Sequence, residues 1–182
     1  MSKKKFVVRQ KYDATAERYD DRYVTIQQRK YREVFSKFNI EKAEIILDIG
    51  AGTGLLLDSF PHLTNTIFCC DFSMNMLKMG KEKHKNGYFI CADSEKLPFR
   101  EVVADIVTCF SVLQNIPNPE IALTEFHSVL KNNETLILTA LQKTFSEDML
   151  KKLTQKCGFE IKRIWSLTYE DSVVIAVKRE KN

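Results

Sequence analysis

Between Glu44 and Ala140 short apolar runs alternate with helical patterns, and this alternation restricts the fold more than any other feature of the chain. EIILDI (Glu44 to Ile49), TIFCCD (Thr66 to Asp71), GYFICAD (Gly87 to Asp93), ADIVTCF (Ala104 to Phe110) and TLILTA (Thr135 to Ala140) have the length and apolar density of buried strands. A short helix after the first run starts at Gly54 and must stop near Phe60, because Pro61 follows. Ser73 is placed to cap a helix carrying Met76, Leu77 and Met79. Asn118, with Pro119 and Glu120 behind it, opens another, whose stripe is Ala122, Phe126, Val129 and Leu130. Ser146 begins a further helix, with Glu147 and Asp148 at its positive end, and Gly158 terminates it.

Strands and helices in this order require a parallel sheet with helices on both faces. Two further strands, about Phe159 to Leu167 and Ser172 to Arg179, are joined by TYED alone. That link is too short for a helical crossover, so the pair runs antiparallel. The expected architecture is a three-layer α/β/α Rossmann-like sandwich with a seven-stranded, mostly parallel sheet and an antiparallel last strand. Ahead of it, Tyr12 to Phe38 reads as amphipathic helix in one or two pieces. The expected organisation is a single domain over residues 1–182. Within it, 1–11 forms a mobile tail that includes the solvated run Lys3-Lys4-Lys5, 12–38 an N-terminal helical segment and 44–179 the α/β core.

Composition sets outer bounds. With 44% hydrophobic and 29% charged residues, the chain has the make-up of a soluble globule. No apolar run approaches the roughly 20 residues of a membrane span, and MSKKKFVV lacks a signal-peptide core, so a cytoplasmic location is expected. The net charge of +4 tolerates an anionic partner such as RNA without requiring one. Cys69, Cys70, Cys91 and Cys109 lie in apolar runs and Cys157 ends a helix, with no C-x-x-C pair. His62, His84 and His127 are scattered. The expectation is buried reduced thiols and no metal site.

Function enters at LDIGAGTG, where the first strand ends and a helix begins. Ligands of parallel α/β sheets bind at that kind of place. The dinucleotide fingerprint would need a third glycine at position 55, which is Leu55. The spacing here is Gly50, Gly52 and Gly54, preceded by Asp48. A carboxylate facing the turn suits a ligand with an amino group or other cationic part. Asp71 ends the second strand and is placed to accept from ribose hydroxyls. Asp93 ends the third, with Ser94 after it, and suits an exocyclic adenine N–H and a ring nitrogen respectively. Phe72 and Met76 can form an apolar slot for the base. Singly, each acid is an ordinary loop-initiating residue; together they describe a receptor for a nucleoside with a cationic tail.

On these residues the chain resembles the class I S-adenosylmethionine-dependent methyltransferases, in the branch of the ubiquinone/menaquinone-biosynthesis enzymes. LDIGAGTG, CCDFSMNML, CADSEKLPF and ADIVTCFSVLQNIPNPEIALTEFHSVLK resemble that family's successive motifs, and YDATAERYDDRY its N-terminal helix. The resemblance implies S-adenosylmethionine as cofactor. It also implies that Asp48 and the backbone of Gly50, Ala51, Gly52, Thr53 and Gly54 surround the methionine moiety. Asp71 then holds the ribose, Asp93 and Ser94 the adenine, and the backbone at Phe110 and Ser111 faces the methionine end. Tyr19, with Tyr12 or Tyr23, either closes over the cofactor or packs the helix on the sheet; the two readings weigh equally.

Displacement at a sulfonium already has a good leaving group, so alignment supplies much of the acceleration and no catalytic residue is assigned. After the fourth strand stands FSVLQNIPNP, where amide- and adenine-N-methylating members of the superfamily carry Asn/Asp-Pro-Pro-Tyr. Ser111, Gln114 and Asn115 are candidates for the acceptor pocket, with Gln114 and Asn115 equally read as polar turn residues. Only Leu141 to Phe145 lie between the fifth strand and its helix, which leaves no room for a lid insertion. An open mouth and mild basicity lean toward a macromolecular acceptor, RNA or protein, and a homodimer would supply a missing wall. The competing readings are a non-catalytic partner or activator subunit and, ranked lower, a small-molecule methyltransferase or, less in keeping with Leu55, a nicotinamide oxidoreductase.

Overall fold

The structure, a computed structural model, describes residues 2–60, 66–85, 87–167 and 170–179. Pro61 and the first half of the TYED link lie outside the described residues. The chain opens with helices α1 (Lys3–Thr15) and α2 (Tyr19–Phe35), joined by a 3-10 turn at Ala16–Arg18. Then come β1 (Ile45–Ile49), α3 (Leu55–Asp58), β2 (Thr66–Asp71), α4 (Met74–Lys83), β3 (Tyr88–Cys91) and β4 (Ala104–Phe110). A 3-10 turn at Leu113–Asn115 leads to α5 (Pro119–Val129), β5 (Leu130–Leu141), α6 (Glu147–Lys156), β6 (Phe159–Ser166) and β7 (Asp171–Lys178).

The sheet has the order β3-β2-β1-β4-β5-β7-β6. Every neighbour pair is parallel except β5–β7 and β6–β7. The expected mixed seven-stranded sheet is therefore observed, and its order reverses direction between β1 and β4, which is the switch point where such sheets bind ligands. One core face gathers Leu47, Val107, Leu123, Phe126, Leu136 and Leu150, and the other Tyr31, Val34, Ile46, Leu56, Ile106 and Ile137. Alternate residues of β1 and β4 thus supply opposite faces, as the two-residue period of a strand dictates.

Three local expectations need correction. Residues 3–11 are helix rather than tail: Ser2 caps α1 by accepting from the Lys5 N–H, and Lys5 itself is held by two carboxylates. The lysine run masked a helical face, because Lys5, Val8, Arg9 and Tyr12 recur at the spacing that aligns side chains on one side. Strand β5 begins at Leu130, which the helical stripe had claimed; Leu130 pairs with Ala104 ahead of a register shift. Finally, Cys91 is exposed, because β3 is the edge of the sheet, and Cys157 is half-buried; Cys69, Cys70 and Cys109 are buried as expected.

Candidate functional site

Strand β1 delivers the chain into a turn that only a glycine-rich sequence can make. Gly50, Gly52 and Gly54 have φ of +76°, +58° and +78°. At Gly50 the close approach is as restrictive as the dihedral angle. A Cβ there would lie 2.2 Å from Cγ2 of Val112, in the turn after β4. At Gly52 it would meet Met76 Cε at 3.0 Å. Gly50→Ala combines a left-handed backbone with overpacking against a neighbouring loop, and should cost about 1–3 kcal/mol in chemical denaturation.

The end of β2 holds this turn. The N–H groups of Gly50 and Ala51 donate to the Cys70 carbonyl, at 2.7 and 3.0 Å. The Gly52 N–H donates to Asp71 Oδ2 at 2.9 Å, and the Ser73 N–H to Asp71 Oδ1 at 2.8 Å. Burial raises the Asp71 carboxyl above its ordinary value, a rise that these backbone donors partly offset. Each of its oxygens keeps acceptor capacity beyond the backbone bond. The turn, Asp71 and the ends of β2, β3 and β4 enclose a cavity. Its wall includes Tyr19, Gly50, Gly52, Asp71, Phe72, Met76, Asp93, Ser94, Phe110 and Ser111, all expected from the sequence.

Four expected residues do not line it. Asp48 lies 3% exposed beneath the turn, where Thr108 Oγ1 donates to its Oδ1 at 2.7 Å. Desolvation pushes its carboxyl up to about 7, with the Asp71 charge adding to the rise against the Thr108 bond. Ala51 packs into the core cluster around Tyr31 and Leu55. The Thr53 hydroxyl donates to Asp20, tying α2 to the turn. Gly54 faces Phe89 and His84. These residues shape the turn from behind. Met76, on the cavity wall beside Phe72, also reaches the turn at Gly52.

Sequence reasoning offered Tyr12 as a cover but missed the rest of the roof. Lys5, Val8, Arg9 and Tyr12 of α1 lie across the cavity, opposite the strand ends. Lys5 Nζ is 2.6 Å from Asp93 Oδ2 and 2.8 Å from Glu95 Oε2. Asp13 Oδ1 accepts from the Ser73 hydroxyl at 2.6 Å and from the Asn75 N–H at 3.1 Å. Tyr12 Oη accepts from Asn115 Nδ2 at 3.0 Å, so Asn115 belongs to the site, whereas Gln114 turns its amide to the Ser111 carbonyl. Tyr23 is exposed and packs its ring, tilted by 41°, against Tyr19 with centroids 4.8 Å apart. Burial raises the Tyr12 and Tyr19 phenols, which keeps both protonated at neutral pH. It also raises Cys70, to about 12, so the thiol on the cavity wall is no nucleophile. The open mouth inferred from the short β5–α6 link left α1 out of account: its Lys5, Val8, Arg9 and Tyr12 wall the cavity.

A glycine turn at the switch point, with Asp71 and Asp93 beside successive strand ends on the wall of one cavity, has the arrangement of a Rossmann-like α/β protein. The profile described as "Methyltransferase domain" matches residues 47–138. The chain belongs to the class I S-adenosylmethionine-dependent methyltransferases. It is 33% identical over 131 residues to the demethylmenaquinone methyltransferase of Streptomyces griseus, covering 70% of this chain and 57% of that protein. It is 29% identical over 142 residues to the ubiquinone/menaquinone biosynthesis C-methyltransferase of Escherichia coli, covering 73% and 57%. The matched region is therefore little more than half the length of these curated relatives. Among solved structures, magnesium protoporphyrin IX methyltransferase from Synechocystis, with bound S-adenosylmethionine, superposes with a TM-score of 0.80 over 98% of both chains. Its 19% identity speaks to fold alone. Among the described residues, no helix is long and apolar enough to cross a membrane.

Proposed function

We propose that this chain moves a methyl group from S-adenosylmethionine to a small phenolic or quinol acceptor. The observation that carries the reading is the roofed cavity, in which the Gly50–Gly52 turn, Asp71 and Asp93 face α1. The fit to the cofactor rests on that cavity's own chemistry. The Gly50 and Gly52 backbone, which lines the cavity without side chains, admits close contact with the methionine end. Asp71 keeps acceptor capacity for ribose hydroxyls, and Asp93 with Ser94 suits adenine. Phe72, Leu97 and Val8 offer the base an apolar setting. Asp48 acts from beneath as a carboxyl that a cation would ionise, and Phe110 and Ser111 border the methionine end. When bound, the cofactor supplies an electrophilic methyl carbon with a good leaving group. The protein's contribution is then to orient the acceptor and exclude water.

A small acceptor is favoured over RNA or protein because α1 restricts the opening, and because the relatives named above act on quinone precursors by name. The test is a pair of measurements. S-adenosylhomocysteine should raise the melting temperature and NAD should not. Labelled methyl from S-adenosylmethionine should enter a reduced 2-polyprenyl-1,4-naphthoquinone and not crude RNA or protein. A response to NAD alone would favour the oxidoreductase reading. Tight cofactor binding with no incorporation into any fraction would favour a non-catalytic partner subunit.

A further inference from the structure

Beside the cofactor cavity, four polar side chains from four separate parts of the chain converge at the carboxyl ends of β4 and β5. Lys30 Nζ of α2 lies 2.8 Å from Asp171 Oδ2, at the start of β7, and 2.7 Å from Ser111 Oγ, just after β4. Asp171 Oδ2 also accepts from the Ser111 hydroxyl, and from Thr139 Oγ1 at 3.1 Å. Lys30 is 5% exposed, and Thr139 and Asp171 are fully buried. Docking α2 does not by itself call for this arrangement, because an apolar pair of similar volume serves as well as a buried ion pair.

An inventory of protons shows what the cluster leaves available. Lys30 only donates. Thr139 Oγ1 accepts from the Ser111 N–H at 2.9 Å, and its own proton is directed at Asp171 Oδ2, at 3.1 Å, in preference to Ser111 Oγ, which lies farther off at 3.4 Å. The Ser111 hydroxyl gives its proton to Asp171 and takes one from Lys30. A hydroxyl oxygen has two lone pairs, so one remains. Ser111 lines the cavity. Asp171 Oδ1 is buried with no hydrogen-bond partner among the described residues, which leaves the carboxylate spare capacity for a proton. Moreover, Ser111 is held at φ +57°, a left-handed conformation that glycine accepts far more readily. Strain of this kind persists where surrounding structure enforces it, and it collects at functional sites.

We propose that Ser111 is the acceptor-facing end of a proton relay to Asp171. The acceptor's O–H donates to the remaining lone pair of Ser111 Oγ. As that O–H bond breaks, its proton bonds to Ser111 Oγ and the serine's original proton passes to the Asp171 carboxylate. The electron pair stays on the acceptor oxygen, which becomes the anion. Negative charge thereby moves from Asp171 to the acceptor while the net charge of the site is unchanged. Lys30, in contact with both Asp171 and Ser111, balances the anion before and after the transfer. Ser111 is the catalytic residue, and Lys30 and Asp171 are positioning and proton-accepting residues that act through it. The inference rests on the methyltransferase reading.

Its test uses 4-nitrophenol, whose phenolate is yellow and whose phenol is not. The protein loaded with S-adenosylhomocysteine is titrated at a pH where the free probe is colourless. The wild type should develop the phenolate band on saturable binding. Ser111→Gly removes the hydroxyl while relaxing the backbone, so it should fold, and at saturating S-adenosylhomocysteine, whatever its affinity, the phenolate fraction should be reduced at least about tenfold. Lys30→Met with Asp171→Leu removes both charges together and should behave likewise. Undiminished phenolate in Ser111→Gly overturns the relay, as does a wild type that binds S-adenosylhomocysteine but not ionised probe. A wild type that fails to bind S-adenosylhomocysteine removes the underlying cofactor reading, and the relay with it.

Discussion

Asp71→Ala should weaken S-adenosylhomocysteine binding by about 100- to 1,000-fold, measured by calorimetry, and leave a folded protein. The carboxylate accepts from the Gly52 and Ser73 N–H groups, so it sets the shape of the glycine turn as well as facing the cavity. A bound ribose would add two hydroxyl donors to it. Hydrogen bonds to charged groups contribute about 1.5–3 kcal/mol each, so losing two corresponds to at least about 3 kcal/mol. Stability moves far less. The substitution frees two backbone donors, but it also removes a carboxylate whose burial is itself unfavourable, as its raised pKa shows. Asp71→Asn, which keeps acceptor oxygen on one side, should fall between wild type and alanine. Unchanged affinity in Asp71→Ala would mean that the sugar binds elsewhere.

The cavity's strand side was legible because its signals are local. Each acid at a strand end stands beside its own strand in sequence, and the glycine turn is a run of five residues from Gly50 to Gly54. Local patterns also placed the helix caps: the Ser73 and Ser146 hydroxyls accept from the Met76 and Met149 N–H groups. What lay outside reach was pairing across the chain. Nothing near Lys30 announces Asp171, 141 residues away, and in sequence Asp171 is the last letter of a polar link. Topology creates that pair, because antiparallel β7 starts where parallel β5 ends, with Asp171 opposite Leu141. The roof is a different case. Lys5, Val8, Arg9 and Tyr12 do carry a helical period, but charge dominated the reading of the first residues. The three consecutive lysines split between roles: Lys5 meets Asp93 and Glu95, while Lys4 reaches the Ile116 carbonyl at 3.3 Å.

Asp48 differs from the other acids in a way that a pH titration will expose. It was expected on the cavity wall and lies instead under it, desolvated, with its carboxyl pushed up to about 7 from an ordinary 3.8. In the unfolded chain the group ionises near its ordinary value; in the native protein it holds its proton until near neutrality. Between those points the native state binds more protons than the unfolded one, so stability falls as pH rises from about 4 to about 7 and then levels off. Over that window the effect approaches about 4 kcal/mol for one carboxyl. Asp48→Asn keeps the shape and an oxygen for Thr108, but cannot ionise. The ligand-free variant should therefore be more stable than wild type at pH 8 by up to about 4 kcal/mol, and nearly equal to it at acid pH. Denaturant unfolding at the two pH values reads the difference directly. A cationic ligand above the turn would stabilise the ionised form of Asp48, so saturating S-adenosylmethionine should flatten the wild-type profile toward that of the variant. Parallel profiles for the two ligand-free proteins would show that the Asp48 carboxyl ionises as freely in the fold as in water, and that its place beneath the turn has no electrostatic consequence.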